Sequence, residues 1–236
     1  MFDSCSPADR TAMTVDVFAD VACPFCYIGE RHFEQALAEV RSEQEAPEIA
    51  WHWRPFQLQP GLPAEGTDWR PFAEKKFGSW ERAQATFRRV EEMGEAAGVD
   101  FRFDRMEKAV NTTDAHRLVL WAGEQDSTGA QKDVAEALFA AYFTAGRDVG
   151  DAATLAQVAG EAGLDAGAAR EMLASERFVG RVEESQQEAR RLGVTGVPCY
   201  IFDGESEDDA RAVTGAQPAA VFRRALAGGA HAVARR

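Results

Sequence analysis

The sequence has few cysteines, no long hydrophobic run and a shortage of positive charge. Only four of its 236 residues are cysteine, which is too few for a small secreted scaffold that depends on disulfides. No segment approaches the roughly 18 consecutive apolar residues of a membrane-spanning helix, and we predict no signal peptide at the N-terminus. Lysine and arginine number 26 against 39 aspartates and glutamates, so nucleic acids and anionic membranes are not expected partners.

These absences leave a folded, cytoplasmic protein as the simplest expectation. Hydrophobic residues make up 45% of the chain, which is enough for a packed core and too much for an intrinsically disordered chain. The cysteines lack the paired spacing of a structural zinc site, so we expect no bound metal. In a reducing compartment, a closely spaced pair of cysteines is more often catalytic than structural.

The first part of the chain follows the order strand, cysteine pair, helix, strand. Residues 14–22 (TVDVFADVA) are typical of a strand because of their β-branched residues. The motif CPFC follows at once, and residues 29–41 then have apolar side chains at helical spacing. A second strand is predicted in residues 48–58, and Pro and Gly residues end it.

A long helical segment separates this part from a second strand region. Residues from about 68 to 192 have mainly helical periodicity. The β-rich stretch 193–204 follows, and residues 211–216 (RAVTGA) are predicted to be its antiparallel partner. A closing amphipathic helix is predicted in 219–228. This order favours an α/β domain with a helical insertion over two domains in tandem.

Cys23 and Cys26 stand where a predicted strand passes into a helix. The free N–H groups and partial positive charge of a helix N-terminus favour a thiolate, which is the nucleophile of disulfide exchange. Pro24 suits the first helical position, where its missing N–H costs nothing. A lone CxxC also occurs by chance or as half of a metal site, but no second pair supplies further ligands. The motif therefore favours a redox-active dithiol.

The dipeptide Val197-Pro198 opens a predicted strand far along the chain. An X-Pro bond before a strand is a candidate cis peptide. Such a proline would pack beside the disulfide of a thioredoxin-like site, and the backbone of Val197 would meet the substrate. Taken alone, an ordinary edge-strand proline is the more frequent interpretation.

Several segments, in this order, resemble one known family: DVACPFCYIGERHFEQAL, RPFQLQP, KKFG, NTTDAHRLVLWA, LFAAYFTAGRDVGD, GVTGVPCYIF and TGAQP. They are similar to the DsbA-like thioredoxin-fold family, in its FrnE and 2-hydroxychromene-2-carboxylate isomerase branch, over residues 14–226. The resemblance implies a thioredoxin-like α/β fold with a large all-helical insertion. It also implies a cis bond at Pro198 and dithiol–disulfide exchange, with Cys23 as the attacking thiol and Cys26 as the resolving thiol.

The resemblance also divides the chain. We expect a loose N-terminal tail at 1–13, a thioredoxin-like domain formed by 14–65 and 193–228, a helical insertion at 66–192 and a C-terminal tail at 229–236.

Other residues are candidates for supporting roles. Asp20 lies three residues before Cys23 and is a candidate proton relay for Cys26, although a loop or helix-start carboxylate is the more frequent interpretation. Asn111 and His116 resemble part of the family's NTxxAHR motif, so they are candidates for the substrate cleft. A helix cap and a hydrogen-bonded helix histidine are equally good interpretations of these two residues. The full set of substrate-binding candidates is Pro24, Phe25, Phe56, Asn111, His116 and Val197.

Three features have simpler interpretations. Phe56 and the neighbouring Leu58 are core residues at least as often as they form the wall of a cleft. Cys199 is expected to be a buried core residue whose side chain points away from those of Pro198 and Tyr200, with a third redox thiol as the alternative. The acidic run 203–209 is expected to be a solvated hairpin tip, and Cys5 in the tail has no assigned role.

The leading hypothesis is a thiol–disulfide oxidoreductase with no permanently bound cofactor, with glutathione as a candidate redox partner or co-substrate. Isomerase members of the branch typically carry serine at the first motif position and use glutathione, so the two cysteines here favour redox exchange. The alternatives are a glutathione-dependent isomerase of a small aromatic or polyketide-like substrate, and a chaperone-like binder. The expected substrates are thiol- or disulfide-containing proteins or small molecules. The oligomeric state is open, and a homodimer is compatible with the sequence.

The composition of the motif predicts its redox potential. Phe25 has neither a charge nor an N–H donor to stabilise the Cys23 thiolate, unlike the histidine of strongly oxidising DsbA proteins. We therefore expect a reduction potential of roughly −270 to −200 mV, against roughly −120 mV for DsbA. Equilibration against glutathione redox buffers measures it, and a value close to that of DsbA would contradict the prediction.

Overall fold

The computed structural model describes residues 13–43, 48–125, 129–202 and 211–227. Cys5, the acidic run 203–209, the C-terminal tail and nearly all of the predicted N-terminal tail lie outside these residues. None of the helices in the described ranges has the length and apolar composition needed to cross a bilayer.

Strands from both ends of the chain form one four-stranded sheet in the order β2-β1-β5-β6. The strands are β1 (Met13–Ala19), β2 (Ile49–Pro55), β5 (Cys199–Phe202) and β6 (Arg211–Thr214). β1 runs parallel to β2 and antiparallel to β5, with Val17 opposite Tyr200 and Phe18 opposite Cys199. β5 and β6 are antiparallel, which confirms the predicted pairing of the two C-terminal segments.

Helices α1 (Pro24–Glu43) and α9 (Ala219–Leu226) cover one face of this sheet. The ring of Phe33 in α1 lies 5.7 Å from that of Tyr200 in β5 and 5.7 Å from that of Phe222 in α9. The sheet face that meets these helices is formed by every second residue of β1 and β5, because successive side chains of a strand point to opposite faces. The α/β fold with a helical insertion that the sequence predicts is thus confirmed.

The chain between these two regions is helical apart from a two-residue ladder of β3 (Thr67–Asp68) and β4 (Lys108–Ala109). Such short strands carry too few residues for an alternating pattern, so sequence analysis does not find them. A 3₁₀ turn at Phe103–Arg105 and a π-helical turn at Ala140–Thr144 interrupt the helices. The helices are α2 (Trp69–Phe77), α3 (Trp80–Ala96), α4 (Thr113–Ala122), α5 (Ala130–Phe139), α6 (Ala152–Glu161), α7 (Ala166–Leu173) and α8 (Val179–Arg191).

The apolar repeat Phe178, Val182 and Ala189 predicts a helix that starts at Phe178, but α8 begins one residue later, at Val179. Phe178 has a φ of 68°, which places it outside the helix in the left-handed region, although its side chain is buried. The apolar repeat therefore includes Phe178 because its ring joins the core and not because its backbone is helical.

Arg117 anchors α4 to the end of α7. Its buried guanidinium donates hydrogen bonds to the carbonyl oxygens of Met172 (3.1 Å), Arg177 (2.7 Å) and Ser175. These carbonyls lie at the C-terminal end of α7 and in the turn that follows it, where partial negative charge favours a cation. The contact fixes the position of α4, which carries His116.

Glu30 is a buried carboxylic acid on α1, one turn after Cys26. Only 5% of Glu30 is exposed, and neither carboxyl oxygen has a hydrogen-bond partner among the described residues. Burial raises the pKa of Glu30 from 4.5 to about 8, although the nearby Lys132 acts in the opposite direction. Glu30 is therefore mainly protonated at neutral pH.

We predict that Glu30→Gln removes a pH-dependent loss of stability. Between the two pKa values, the unfolded chain releases the Glu30 proton while the folded protein keeps it, so the free energy of unfolding falls as pH rises. The loss between pH 5 and pH 8 is roughly 2–4 kcal/mol. Urea unfolding at pH 5 and pH 8 measures the free energy of unfolding of both proteins. The value for the variant minus the value for the wild type should increase by this amount from pH 5 to pH 8.

Glu39→Gln, another α1 substitution, is the matched control and should keep the wild-type pH dependence. A constant difference between wild type and Glu30→Gln across this pH range would contradict the prediction.

Candidate active site

The cysteine pair lies at the junction between β1 and α1. The chain turns after Ala19, and the N–H of Cys23 donates to the carbonyl of Asp20 at 3.0 Å. Pro24 is the first residue of α1, as predicted, and the N–H of Cys26 donates to the carbonyl of Cys23 at 3.0 Å. No acidic residue occupies the first turn of α1. The partial positive charge of the helix N-terminus therefore acts on Cys23 without local opposition from a carboxylate in that turn.

The Val197-Pro198 segment lies directly against the first cysteine. The Cys23 Sγ is 3.7 Å from the carbonyl oxygen of Val197, across 174 positions of sequence. The Val197–Pro198 peptide bond is cis. Pairing of Phe18 with Cys199 brings this segment to the end of β1, so the sheet register places the two elements together.

The two thiols have different surroundings. Neither forms a disulfide, and both residues are almost completely buried, with 3% of Cys23 and 2% of Cys26 exposed. Cys23 lines a cavity, whereas Cys26 lies one turn deeper in the core. Burial raises the pKa of Cys26 well above its usual value, and the adjacent Cys23 thiol and the charge of Asp20 raise it further. Cys26 is thus held as a thiol and needs a base to become nucleophilic.

Asp20 is a buried carboxylate beside Cys26. Its Oδ2 accepts a hydrogen bond from the N–H of Leu58 at 2.7 Å, and its Oδ1 accepts one from the N–H of Ala22 at 3.2 Å. Its Oδ1 also lies 3.6 Å from the Nε2 of His116. Asp20 therefore has the local turn contact of a loop carboxylate, and its charge also acts on the Cys26 thiol. The relay role stays a prediction.

His116 and Asn111 are not among the residues that line the cavity, so the structure favours the other interpretation of each that the sequence left open. His116 is fully buried, and its Nδ1 accepts a hydrogen bond from the indole Nε1–H of Trp53 at 3.0 Å. The Oδ1 of Asn111 accepts from the N–H of Thr113 at 3.0 Å, and its amide donates to the carbonyl of Leu62 at 2.7 Å. Asn111 thus lies just before α4, whose N-cap residue is Thr112, and its side chain binds the first N–H of the helix. His116 turns inward because residues 115–122 of α4 are buried.

Phe56 and Cys199 belong to a separate core cluster. They pack with Phe18 and Ala189, whereas Tyr200 packs with α1 and α9. The side chain of Cys199 thus points opposite to that of Tyr200, as strand parity predicts. Phe56 is thus a core residue and does not form a cleft wall. Leu58, in contrast, does line the cavity.

A cavity of about 330 Å³ opens beside Cys23. Asp20, Pro24, Phe25 and Val197 line the end that holds the cysteine. The opposite wall comes from the helical segment, and its aromatic members are Trp69, Phe72, Phe77, Phe87, Phe103, Tyr142 and Phe143. Stacking holds these rings in place: Phe87 and Phe103, for example, have centroids 4.7 Å apart.

Sequence reasoning did not single out this aromatic wall. Its members come from several separate segments of the chain, between α2 and the π-helical turn, and each ring also fits ordinary core packing. The high density of aromatic residues between positions 69 and 103 is the only signal that points to the wall. Across the described residues, no group of three His, Cys, Asp or Glu side chains is arranged to hold a metal ion.

Comparison with known proteins extends these observations to the whole chain. Residues 14–227 match the family model of the DSBA-like thioredoxin domain. The chain is 24% identical over 213 residues to the uncharacterized protein YwbO of Bacillus subtilis, covering 90% of this chain and 94% of YwbO.

Three solved structures share the fold. A probable DsbA oxidoreductase of Streptomyces coelicolor is 33% identical, with a TM-score of 0.78 and coverage of 92% of this chain and 89% of that one. The cytosolic disulfide reductase DsbM of Pseudomonas aeruginosa is 19% identical, with a TM-score of 0.63 and coverage of 91% and 97%. A 2-hydroxychromene-2-carboxylate isomerase is 16% identical, with a TM-score of 0.60 and coverage of 86% and 89%.

The different surroundings of the cysteines predict an order of chemical modification. Cys23 lines the cavity, whereas burial raises the pKa of both Cys26 and Cys199. Iodoacetamide should therefore label Cys23 on the order of tenfold faster than either of the others in the reduced, folded protein at pH 7.5. Mass spectrometry of the peptides measures the rates. Denatured protein should lose the difference, and faster labelling of Cys26 or Cys199 in the folded protein would contradict the prediction.

Proposed function

The chain belongs to the DSBA-like thioredoxin domain family, and we propose that it is a thiol–disulfide oxidoreductase with Cys23 and Cys26 as its dithiol. The observation that carries this proposal is the difference between the two thiols. Cys23 stands at the N-terminus of α1, on the wall of a cavity and 3.7 Å from the Val197 carbonyl. Cys26 lies in the first turn of the same helix, within reach of Cys23 and away from the cavity.

The proposed reaction proceeds in two exchanges. The Cys23 thiolate attacks one sulfur of a substrate disulfide, the substrate S–S bond breaks, and the other substrate sulfur leaves as a thiolate. Cys26 then loses its proton and attacks the Cys23 Sγ in the mixed disulfide. This step forms the Cys23–Cys26 disulfide and releases the second substrate thiol. The substrate is reduced by two electrons and the protein is oxidised by two, and the reverse sequence oxidises a dithiol.

The substrates and redox partners are part of the proposal. Disulfides of proteins or small molecules fit the chemistry, and glutathione is the proposed redox partner. The P. aeruginosa disulfide reductase, which has this fold, has also been solved with GSH. That reductase is a cytosolic protein, and a cytoplasmic location remains part of our proposal for this chain.

The aromatic cavity supports a second candidate function, a glutathione-dependent isomerase of a small apolar substrate. An enclosed, mainly apolar space with a few polar groups at one end is the usual form of a small-molecule site. The cavity next to Cys23 has this form, with Asp20 and Cys23 at one end and aromatic rings at the other. The presence of both cysteines makes disulfide exchange the first candidate, because isomerisation does not use a resolving thiol.

Cysteine substitutions distinguish the candidates. In the dithiothreitol-driven reduction of insulin, Cys23→Ser should abolish catalysis because it removes the nucleophile. Cys26→Ser should stop turnover and accumulate a mixed disulfide at Cys23, visible by mass spectrometry. The matched control is Cys199→Ser, which changes a cysteine on the opposite face of the sheet and should retain most of the activity.

Other outcomes would contradict the proposal. Full insulin reductase activity in Cys23→Ser would exclude Cys23 as the nucleophile. Glutathione-dependent turnover of an apolar substrate that survives Cys26→Ser would favour the isomerase. Suppression of aggregation that persists with both cysteines replaced, without any redox activity, would favour a chaperone-like binder.

A further inference from the structure

Trp53 fixes the tautomer of His116. The indole N–H of Trp53 lies 3.0 Å from the Nδ1 of His116. An indole N–H can only donate, so Nδ1 must be the unprotonated, accepting nitrogen. The imidazole therefore carries its single proton on Nε2. The contact is completely enclosed, because 2% of Trp53 and none of His116 are exposed.

The Nε2 atom of His116 lies close to the Asp20 carboxylate. Nε2 has no hydrogen-bond partner among the described residues, and Oδ1 of Asp20 is 3.6 Å away. Both side chains are almost entirely buried, at 0% and 2% exposed, so no bulk water screens the contact. At this distance the imidazole and the carboxylate are neighbours without a hydrogen bond between them, and the imidazole limits the orientations that the carboxylate can adopt.

Asp20 in turn lies beside the thiol that must lose a proton. The main chain of Asp20 contacts the Cys26 thiol, and the charge of its carboxylate opposes ionisation of that thiol. Transfer of the Cys26 proton to Asp20 removes this opposition, because the negative charge then resides only on the sulfur. The main-chain N–H groups of Leu58 and Ala22 hold the carboxylate in place.

From this geometry we propose that His116, held in its Nε2–H tautomer by Trp53, is a positioning residue that keeps the Asp20 carboxylate oriented to take the proton of Cys26. The inference rests on the proposed disulfide exchange and concerns only its second step. Cys26–SH and the Asp20 carboxylate become Cys26–S⁻ and the Asp20 carboxylic acid. The thiolate attacks the Cys23 Sγ, and the departing substrate thiolate then recovers the proton.

The titratable groups around Asp20 come from four elements. Cys23 and Cys26 belong to the start of α1, His116 to α4 and Tyr142 to the π-helical turn, while Tyr200 of β5 interacts with both cysteines. The hydroxyl of Tyr142 donates its hydrogen bond to the carbonyl of Lys108 at 3.0 Å. It therefore does not donate to Asp20. Burial raises the pKa of both tyrosines above their usual value. The two tyrosines therefore stay neutral over the range tested below.

The test separates the two exchange steps in one experiment. Reduced protein is mixed with 5,5′-dithiobis(2-nitrobenzoate), and the released thionitrobenzoate is followed by stopped-flow absorbance from pH 5.5 to pH 9. The first phase reports attack by Cys23, and the second phase reports resolution by Cys26. His116→Leu should slow the second phase by about tenfold or more near pH 6.5 and shift its pH profile upward. The first phase should change by less than about twofold.

Two further variants give the matched comparisons. His116→Gln can accept from Trp53 and donate to Asp20 through one amide, so it should restore most of the second phase. His52→Leu removes a half-exposed histidine on β2 and should leave both phases unchanged. An unchanged second-phase pH profile in His116→Leu would overturn the proposal, and so would equal slowing of both phases. Loss of the first phase in wild type would instead contradict the proposed function.

A spectroscopic measurement keeps the proposal falsifiable if His116→Leu does not fold. Nitrogen chemical shifts of the imidazoles in the reduced wild type at pH 7.5 should show His116 as the Nε2–H tautomer, with the signal assigned by its absence in His116→Gln. Trp53→Phe removes the indole N–H that donates to Nδ1, so His116 should no longer favour the Nε2–H tautomer. An Nδ1–H tautomer or a cationic ring in wild type would overturn the proposal independently of any activity.

Discussion

Antiparallel pairing of β1 with β5 is the contact on which the site depends. The two strands come from opposite ends of the described chain, and their register sets Phe18 opposite Cys199. Because Pro198 immediately precedes β5 and the CPFC turn closely follows β1, this register brings the Val197 carbonyl within 3.7 Å of the Cys23 Sγ. A slip of one residue would exchange the two faces of β5. Tyr200 would then leave α1 and α9, and Cys199 would leave its separate cluster.

The second constraint is the burial of polar groups around the dithiol. A buried carboxylate is costly unless donors surround it, and Asp20 accepts hydrogen bonds from two main-chain N–H groups, with the imidazole of His116 3.6 Å away. These three groups come from different parts of the fold, since Ala22 precedes α1, Leu58 follows β2 and His116 lies on α4. Arg117 secures α4 through the carbonyls that end α7. Through His116 the helical insertion thus contacts Asp20 beside the two cysteines, and it also supplies the aromatic wall of the cavity.

Local features of the site could be predicted from the sequence, and its long-range features could not. The strand–CPFC–helix order and the place of Pro24 follow from neighbouring residues, as does the orientation of the Cys199 side chain opposite to that of Tyr200. The resemblance to known proteins supplied the family, which the comparisons confirm. The orientation of His116 depends on Trp53, 63 positions away, and no local pattern specifies such a contact. For the same reason the aromatic cavity wall could not be distinguished from ordinary core.

If Cys23 is the attacking thiol, as we propose, its enclosed position limits the substrate disulfides that it can reach. Only 3% of the residue is exposed. A substrate disulfide must therefore enter the cavity, or displace residues at its rim, before its S–S bond can align with the Cys23 Sγ. Phe25 is 40% exposed at that rim, and an exposed aromatic ring beside a nucleophile offers apolar contact to whatever enters. The disulfide of a rigid protein core cannot meet this requirement. Small disulfides and disulfides in extended, flexible chain segments can, and the aromatic wall stabilises those with apolar groups next to the sulfur.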